Sequence, residues 1–310
     1  MKIGFFGTPE IASYCLERLF EKHEILFIVT AEDKPSGRDM KIQFSPVKTF
    51  AIEKNIPLFQ PVSLRNEELL SDLKKYSADV YVVVAYGKII PEAIYNYPPH
   101  KTMNLHPSLL PKYRGAAPIQ WALINGETHT GITVQRINEK LDSGDIILQK
   151  KIDLGISINA KELYDMVLPM GAELLLEAIQ NFDSGTAVLS KQNEDDATYC
   201  SKINKEIARI DWTKSAFEIH NLVRGLNPKP GAWSIFRDKN FKIWKTIPAD
   251  NMAELSLKPG EATCYLKKRL IIGTGSGLIE ILEIQQETKK IMDCISFLNG
   301  CRLETGEYFH

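Results

Sequence analysis

Residues 80–85, Val-Tyr-Val-Val-Val-Ala, constrain the fold of this chain more than any other stretch. An unbroken run rich in β-branched residues has no solvent-facing side, so it belongs to a strand covered on both faces, as in a parallel sheet. Parallel strands need crossover helices between them, and the surrounding sequence supplies that alternation. Residues 2–6 form an apolar strand ended by Gly7, after which Pro9 fits the first turn of a helix reaching about residue 21. Strands at 24–30, 58–60 and 102–105 alternate with helices at 46–54 and 66–75. The expectation is a doubly wound, mostly parallel, Rossmann-like α/β domain. Ligands of such sheets sit beyond the carboxyl ends of the strands, so the loops after Phe6, Ala85 and Leu105 should converge. Residues 132–137 and 146–152 read as a hairpin-like pair joined through 141–145, and a helix from about 159 to 182 closes the domain.

With 310 residues the chain is long enough for a second, separately cored domain. From residue 209 the pattern becomes a short helix at 215–224, a turn-rich LNPKPGAW stretch, and short strands at 241–246, 261–265, 269–273 and 278–284. That succession reads as a small β-barrel. The polar, weakly periodic residues before it have the composition of a linker. The expected division is therefore 1–189, a linker at 190–208, and 209–310. The net charge of −1 conceals an asymmetry: residues 209–310 hold 15 Lys and Arg against 12 Asp and Glu, the preceding residues 23 against 27. A mildly basic second half fits either a phosphate-facing surface or a solvated surface of mixed sign.

Several classes are excluded. No apolar run approaches the ~18–20 residues that cross a bilayer. Gly7 and Pro9 interrupt the opening MKIGFFGTPE before it reaches the length of a signal-peptide core. A cytoplasmic protein with no membrane partner is expected. The five cysteines form no CxxC pair and the six histidines no HxxxH or HExxH, so no metal is expected. The first strand is followed by Gly7-Thr8-Pro9-Glu10 rather than GxGxxG, which disfavours a nicotinamide dehydrogenase.

The chemistry is concentrated at Asn104 and His106. Two residues apart on an extended segment, they project from one face, and Pro107 and Pro111 then take the chain out of the sheet into a stiff loop. An amide donor beside a titratable imidazole suits substitution at a carbonyl, which needs a donor for the oxyanion and a group to handle a proton. Taken alone, either residue also fits as a turn residue or a satisfied polar group.

The surrounding residues carry a resemblance. The run NLHPSLLPKYRGAAP, continuing later into Leu141-Asp142-Ser143-Gly144-Asp145, closely resembles the folate-dependent formyltransferase family. The resemblance implies that Asn104, His106 and Asp142 form the catalytic triad, with Asp142 orienting His106. It implies a formyltransferase domain of Rossmann-like fold followed by a small OB-like β-barrel, and 10-formyltetrahydrofolate as donor co-substrate. Ser108, Leu109, Leu110 and Pro111 match the family's folate-binding turn. Tyr86, Gly87, Lys88, Ile89 and Ile90 are assigned to the neighbouring wall by the crevice argument and the resemblance together. Leu109 and Leu110 can also plug the core while serving that turn, and Lys112 and Arg114 fit either as ligand contacts or as solvated loop residues.

Within the family, FFGTPEIA, the inserted loop DKPSGRDMKIQFSPVK and the stretch IDWTKSAFEIHNLVRGLNPKPGAW resemble the branch that acts on aminoacyl-tRNA. This implies formylation of the α-amine of initiator methionyl-tRNA, for translation initiation, with tRNA held partly by the C-terminal domain. Arg38 and Lys41 in the inserted loop and Lys267, Lys268 and Arg269 in the second domain are the candidate RNA contacts. The last three also fit an ordinary barrel strand. A sugar-nucleotide amine formyltransferase, which shares the LLPKYRG run, is the alternative. Two departures stand out: Asp39 and Met40 follow Arg38 where the family carries further basic residues, and Ile11 replaces an aromatic. A monomer is expected, since two domains can reach donor and acceptor unaided.

Overall fold

The computed structural model describes residues 1–36, 41–249, 252, 254–304 and 306–310. The chain begins with β1 (Lys2–Gly7), α1 (Glu10–Phe20), β2 (Glu24–Val29), β3 (Lys34–Ser36), β4 (Lys41–Gln43), α2 (Pro46–Glu53), β5 (Leu58–Phe59) and α3 (Glu67–Lys75). It continues with β6 (Val80–Val84), α4 (Glu92–Tyr95), β7 (Thr102–His106), β8 (Arg114–Gly115), α5 (Pro118–Ile124), β9 (His129–Arg136), β10 (Ile146–Asp153) and α6 (Ala160–Asp183). After a 3-10 turn (Glu194–Asp196) come β11 (Tyr199–Cys200), α7 (Ala216–Gly225), β12 (Ala232–Phe236), β13 (Lys239–Pro248), β14 (Glu261–Tyr265) and β15 (Arg269–Gly273). The chain ends with β16 (Leu278–Gln286), β17 (Met292–Asp293), α8 (Cys294–Cys301) and β18 (Glu307–Tyr308).

Two compact units result: Met1–Gly115 with Thr130–Ile152 and Asp165–Tyr199, and Ala116–His129 with Asp153–Tyr164 and Cys200–His310. The first is built on a seven-stranded sheet of order β10-β9-β7-β6-β1-β2-β5. β5, β2, β1, β6 and β7 run parallel, and β9 is antiparallel to β7. All five residues of β6 are buried, as its apolar run requires. Chain order reverses at β1, flanked by β2 and β6, the kind of switch point where a crevice opens. There Thr8 Oγ1 donates to the Tyr86 carbonyl (3.4 Å) and accepts from the Ala31 N–H (3.3 Å), joining the loops after β1, β6 and β2.

In the second unit an antiparallel sheet of order β12-β13-β16-β15-β14-β18 curls round, and β17 adds to β16. An antiparallel bridge between Phe236 and Phe309, with reciprocal hydrogen bonds between Ile235 and His310, joins the last strand region to the first. Joining its edges makes this sheet the nearly closed barrel of the second unit. Its core includes Phe236 stacked on Phe309 at 4.5 Å, with Trp212, Ile243, Leu270, Ile279 and Ile281 buried around them. Helix α7 starts at a capping box between Ser215 and Glu218.

The units do not follow the expected division. Ala116–His129 and Asp153–Tyr164 belong to the second unit, because α5 packs on α7 and Arg224 donates to the carbonyls of Gly155 and Ile158. A Cβ on Gly225 would meet Ile124 at 2.8 Å, so this helix pair requires a glycine there. Residues 190–208, expected as a linker, make specific contacts: Gln192 and Glu194 hold Arg114, and Lys205 O accepts from Trp233 Nε1. Polar side chains that read as solvated are committed to groups distant in sequence.

Candidate active site

Strand β7 delivers Asn104 and His106 to one face near its carboxyl end, where they stand opposite Gln135 and Thr133 of β9. Directly opposed residues of an antiparallel pair share a face, so four polar side chains line one patch. His106 is only 4% exposed. Its Nε2 lies 2.8 Å from the Tyr113 carbonyl, and its Nδ1 lies 3.6 Å from Asp142 Oδ2. The second distance is too long for a hydrogen bond and within ion-pair reach. A neutral ring donates to only one of these two acceptors. Asn104 is half-buried, and its amide has no hydrogen-bond partner among the described residues.

The loop between β9 and β10 brings Asp142 to His106. Asp142 takes φ 50°, a left-handed conformation that aspartate tolerates better than most residues. Gly144 approaches β9 so closely that a Cβ would meet the Arg136 carbonyl at 1.9 Å. Asp142 Oδ2 accepts from the Gly115 N–H (2.9 Å), and Oδ1 accepts from Gln135 Nε2 (3.1 Å).

The turn at 108–111 is more inward than its sequence implied. Ser108 is buried and donates to the Lys112 carbonyl (2.6 Å). Thr133 Oγ1 donates to the Ser108 carbonyl and accepts from the Leu110 N–H, while Gln149 Nε2 donates to the Leu110 carbonyl. Leu110 is buried, Leu109 lies over Gly131, and Pro111 is half-buried. The backbone groups of Ser108 and Leu110 are thus committed to β9 and β10, which makes the turn rigid and leaves fewer of them to face a ligand. On the adjacent loop Ile89 is 85% exposed and Gly87 is open, whereas Tyr86 and Ile90 are buried. Burial, helped by the charge of Glu32, pushes the Tyr86 phenol up to about 12, so it carries no proton-transfer role near neutral pH. Lys88 spends its ammonium on the Pro61 and Val62 carbonyls.

Sequence reasoning missed Gln135 and Gln192 and left Arg114 undecided. Arg114 is fully buried: it donates to Gln192 Oε1 through Nε (3.1 Å) and Nη2 (2.9 Å), to both oxygens of Glu194, and to Tyr199 Oη. The Arg114 hydrogen bonds hold the Glu194 carboxyl below the usual carboxylate range. The available signal was Thr133-x-Gln135, polar residues two apart that alternate with the apolar Ile132 and Val134.

Of the candidate RNA contacts, Arg38 lies outside the described residues, and Lys41 opens β4. Lys267 and Lys268 are exposed at the turn between β14 and β15. Arg269 is half-buried and bound to Glu280 at 2.5 Å, which makes it a partner of the barrel wall. Among the described residues no group of three His, Cys, Asp or Glu is placed to hold a metal ion, and no helix is long and apolar enough to cross a membrane. A cavity of about 640 Å³ bordered by Met1, His23, Asp79 and Asp183 contains none of the candidate site residues.

Comparisons with known proteins agree along the whole chain. The formyl transferase family profile matches residues 1–179, and the formyl transferase C-terminal domain profile matches 202–302. The methionyl-tRNA formyltransferase of Agathobacter rectalis is 41% identical over 310 residues, covering 100% of this chain and 99% of that protein. The methionyl-tRNA formyltransferase of Clostridioides difficile is 44% identical over 307 residues, with 99% of each chain covered. Among solved structures, an N-formyltransferase from Helicobacter canadensis in complex with folinic acid and dTDP-3-aminofucose superposes with a TM-score of 0.67 at 22% identity, over 92% of this chain and 99% of its own. At that identity the likeness establishes a shared fold.

Proposed function

This chain belongs to the formyl transferase family, and from that premise we propose that it transfers a formyl group from a folate-type donor to the α-amine of methionyl-tRNA. The observation that carries this reading is collinearity: both units align end to end with curated methionyl-tRNA formyltransferases at 41–44% identity. The product is the formylated aminoacyl-tRNA used in translation initiation. We assign 10-formyltetrahydrofolate as the donor and the initiator methionyl-tRNA as the acceptor. Acting on aminoacyl-tRNA, such an enzyme works in the cytoplasm, here as a monomer.

The chemistry follows from the patch on β7. An esterified amino acid has no free carboxylate to hold its amine protonated, so a useful fraction of the amine is neutral near pH 7. Its lone pair attacks the formyl carbon and an oxyanion forms. Asn104, whose amide has no hydrogen-bond partner among the described residues, donates to that oxyanion. The bond from formyl carbon to N10 of the donor then breaks, the amine loses a proton, and N10 gains one. His106 handles that proton or donates to the oxyanion once its contact with the Tyr113 carbonyl is released, and Asp142 sets the ring's orientation. Ser108, Leu109, Leu110 and Pro111 with Tyr86, Gly87, Lys88, Ile89 and Ile90 border the donor's seat. Open Ile89 is the most accessible apolar contact among them. The unit that holds Asn104, His106 and Asp142 serves donor binding and catalysis, and the other, with Lys267 and Lys268 exposed, serves the RNA.

The deciding experiment offers purified protein and formyl-labelled tetrahydrofolate to methionyl-tRNA and, separately, to an amino-sugar nucleotide. Label is expected on methionyl-tRNA. Label on the sugar alone would transfer the assignment to the sugar-nucleotide branch.

A further inference from the structure

Gln135 lies in the interior, only 1% exposed, where a primary amide without partners would cost stability. Its position opposite Asn104 and its contact with Asp142 Oδ1 put it between two of the three candidate catalytic side chains. The hydrogen bonds reaching it run in one direction. A guanidinium only donates, so the two Arg114 bonds at 2.9 and 3.1 Å fix the oxygen of the Gln192 amide. The Gln192 nitrogen must then face the other way, toward Gln135 Oε1 (3.1 Å) and the carbonyls of Asp142 (2.9 Å) and Gly144 (2.8 Å). Two hydrogens shared among three acceptors leave that amino group facing Gln135, where a second amino group would be repelled, so the Gln135 oxygen lies on that side and its N–H is directed at Asp142 Oδ1. With Oδ1 so engaged and Oδ2 receiving the Gly115 N–H, both oxygens of Asp142 accept from fixed donors, and Oδ2 is the one turned toward His106.

We propose that Gln135 is the positioning residue of the Asp142 carboxylate, its amide oriented by a one-way chain of donors that starts at the buried guanidinium of Arg114 and passes through Gln192. The proposal rests on the reading of Asn104, His106 and Asp142 as the catalytic group. Gln135 touches no substrate in this scheme; it acts through Asp142. Glu194, at the outer end, is more than half exposed and holds Arg114 from the solvent side.

The test is a double-mutant cycle on the full chain, read as formyl transfer to methionyl-tRNA, with thermal melting to verify folding. Q135M keeps the side-chain volume, and the two Gln192 hydrogens still have the Asp142 and Gly144 carbonyls. Its kcat is expected to fall about 10–100-fold, with KM for the folate donor and for methionyl-tRNA each within about 3-fold of the parent. In the D142A background the same substitution should cost less than about 3-fold, because the group it acts through is gone. Parental kcat in Q135M alongside a crippled D142A overturns this inference and spares the catalytic reading. Near-parental turnover in D142A overturns that reading itself. A Q135M loss that persists undiminished in D142A, or that resides in KM, also overturns the inference. Should Q135M melt below the assay temperature, Q135L decides by the same split: it too is apolar and cannot donate to Asp142.

Discussion

Among the described residues each unit buries one histidine, and the two have opposite surroundings. His106 in the first unit faces a carbonyl with one nitrogen and a carboxylate with the other. His220 in the second faces the Thr246 hydroxyl (2.9 Å) and the Ile156 carbonyl (3.0 Å), with Arg224 one turn along its helix. Burial pulls the His220 pKa down, and the Arg224 charge adds to that effect. A neutral ring satisfies both partners of His220, one nitrogen donating to the carbonyl and the other accepting from the hydroxyl. His106 has no such solution, because both of its partners accept. What separates the two is the carboxylate of Asp142 against His106, which His220 lacks.

That contrast can be broken by substitution. His106→Ala is expected to lower kcat by at least ~10²-fold, and steady-state rates in the purified variant check it; near-parental turnover would remove the ring from the mechanism. His220→Ala should do the reverse. Turnover per folded molecule stays within about 2-fold, while unfolding free energy drops by about 2 kcal/mol, because Thr246 and the Ile156 carbonyl lose their partner. Urea titration reads this as a lower midpoint at unchanged slope; a kcat loss without a midpoint shift would contradict it.

The same histidine predicts an acid response of smaller size. Its pKa lies lower in the folded chain than in the unfolded one, whose ordinary value is 6.5. The unfolded state therefore takes up its proton first as pH falls. Stability from neutral His220 is complete above about 6.5 and is lost as pH drops from there toward the lowered native value. Melting temperatures of the parent and of His220→Gln between pH 7.5 and about 5 check this: the gap between them should narrow on acidification. A gap that is constant or widens sinks the assignment.

The smallest effect is expected at the exposed β14–β15 turn. Removing one charge with Lys267→Ala should reduce the slope of log kcat/KM for tRNA against log salt by about one, with turnover on saturating tRNA unchanged. An unchanged slope would return Lys267 to the solvated surface.

Periodicity made much of the first unit legible. The apolar run at 80–85, the Pro9 helix start and the strand carrying Asn104 and His106 all lie where local pattern puts them, because strand and helix spacings are written over a few consecutive residues. In the second unit the strands at 261–265 and 269–273 were equally plain, whereas β12 begins inside the turn-rich LNPKPGAW stretch and the terminal helix α8, eight residues long, spans little more than two turns. Resemblance, not periodicity, singled out Asp142, since a lone aspartate in a turn carries no pattern of its own.

The sequence by itself determined the alternation that makes a parallel sheet, the strand end that presents an amide beside an imidazole, and the formyl transferase kinship. Tertiary structure alone decided that Arg114 is buried, that its partners Gln192 and Glu194 come from 78 and 80 residues away, and that Phe309 closes the barrel on Phe236. The reason is one of range. Secondary structure follows from neighbours a few residues apart, but satisfying a buried polar group or closing a sheet requires partners that only folding brings together, and their sequence spacing obeys no period.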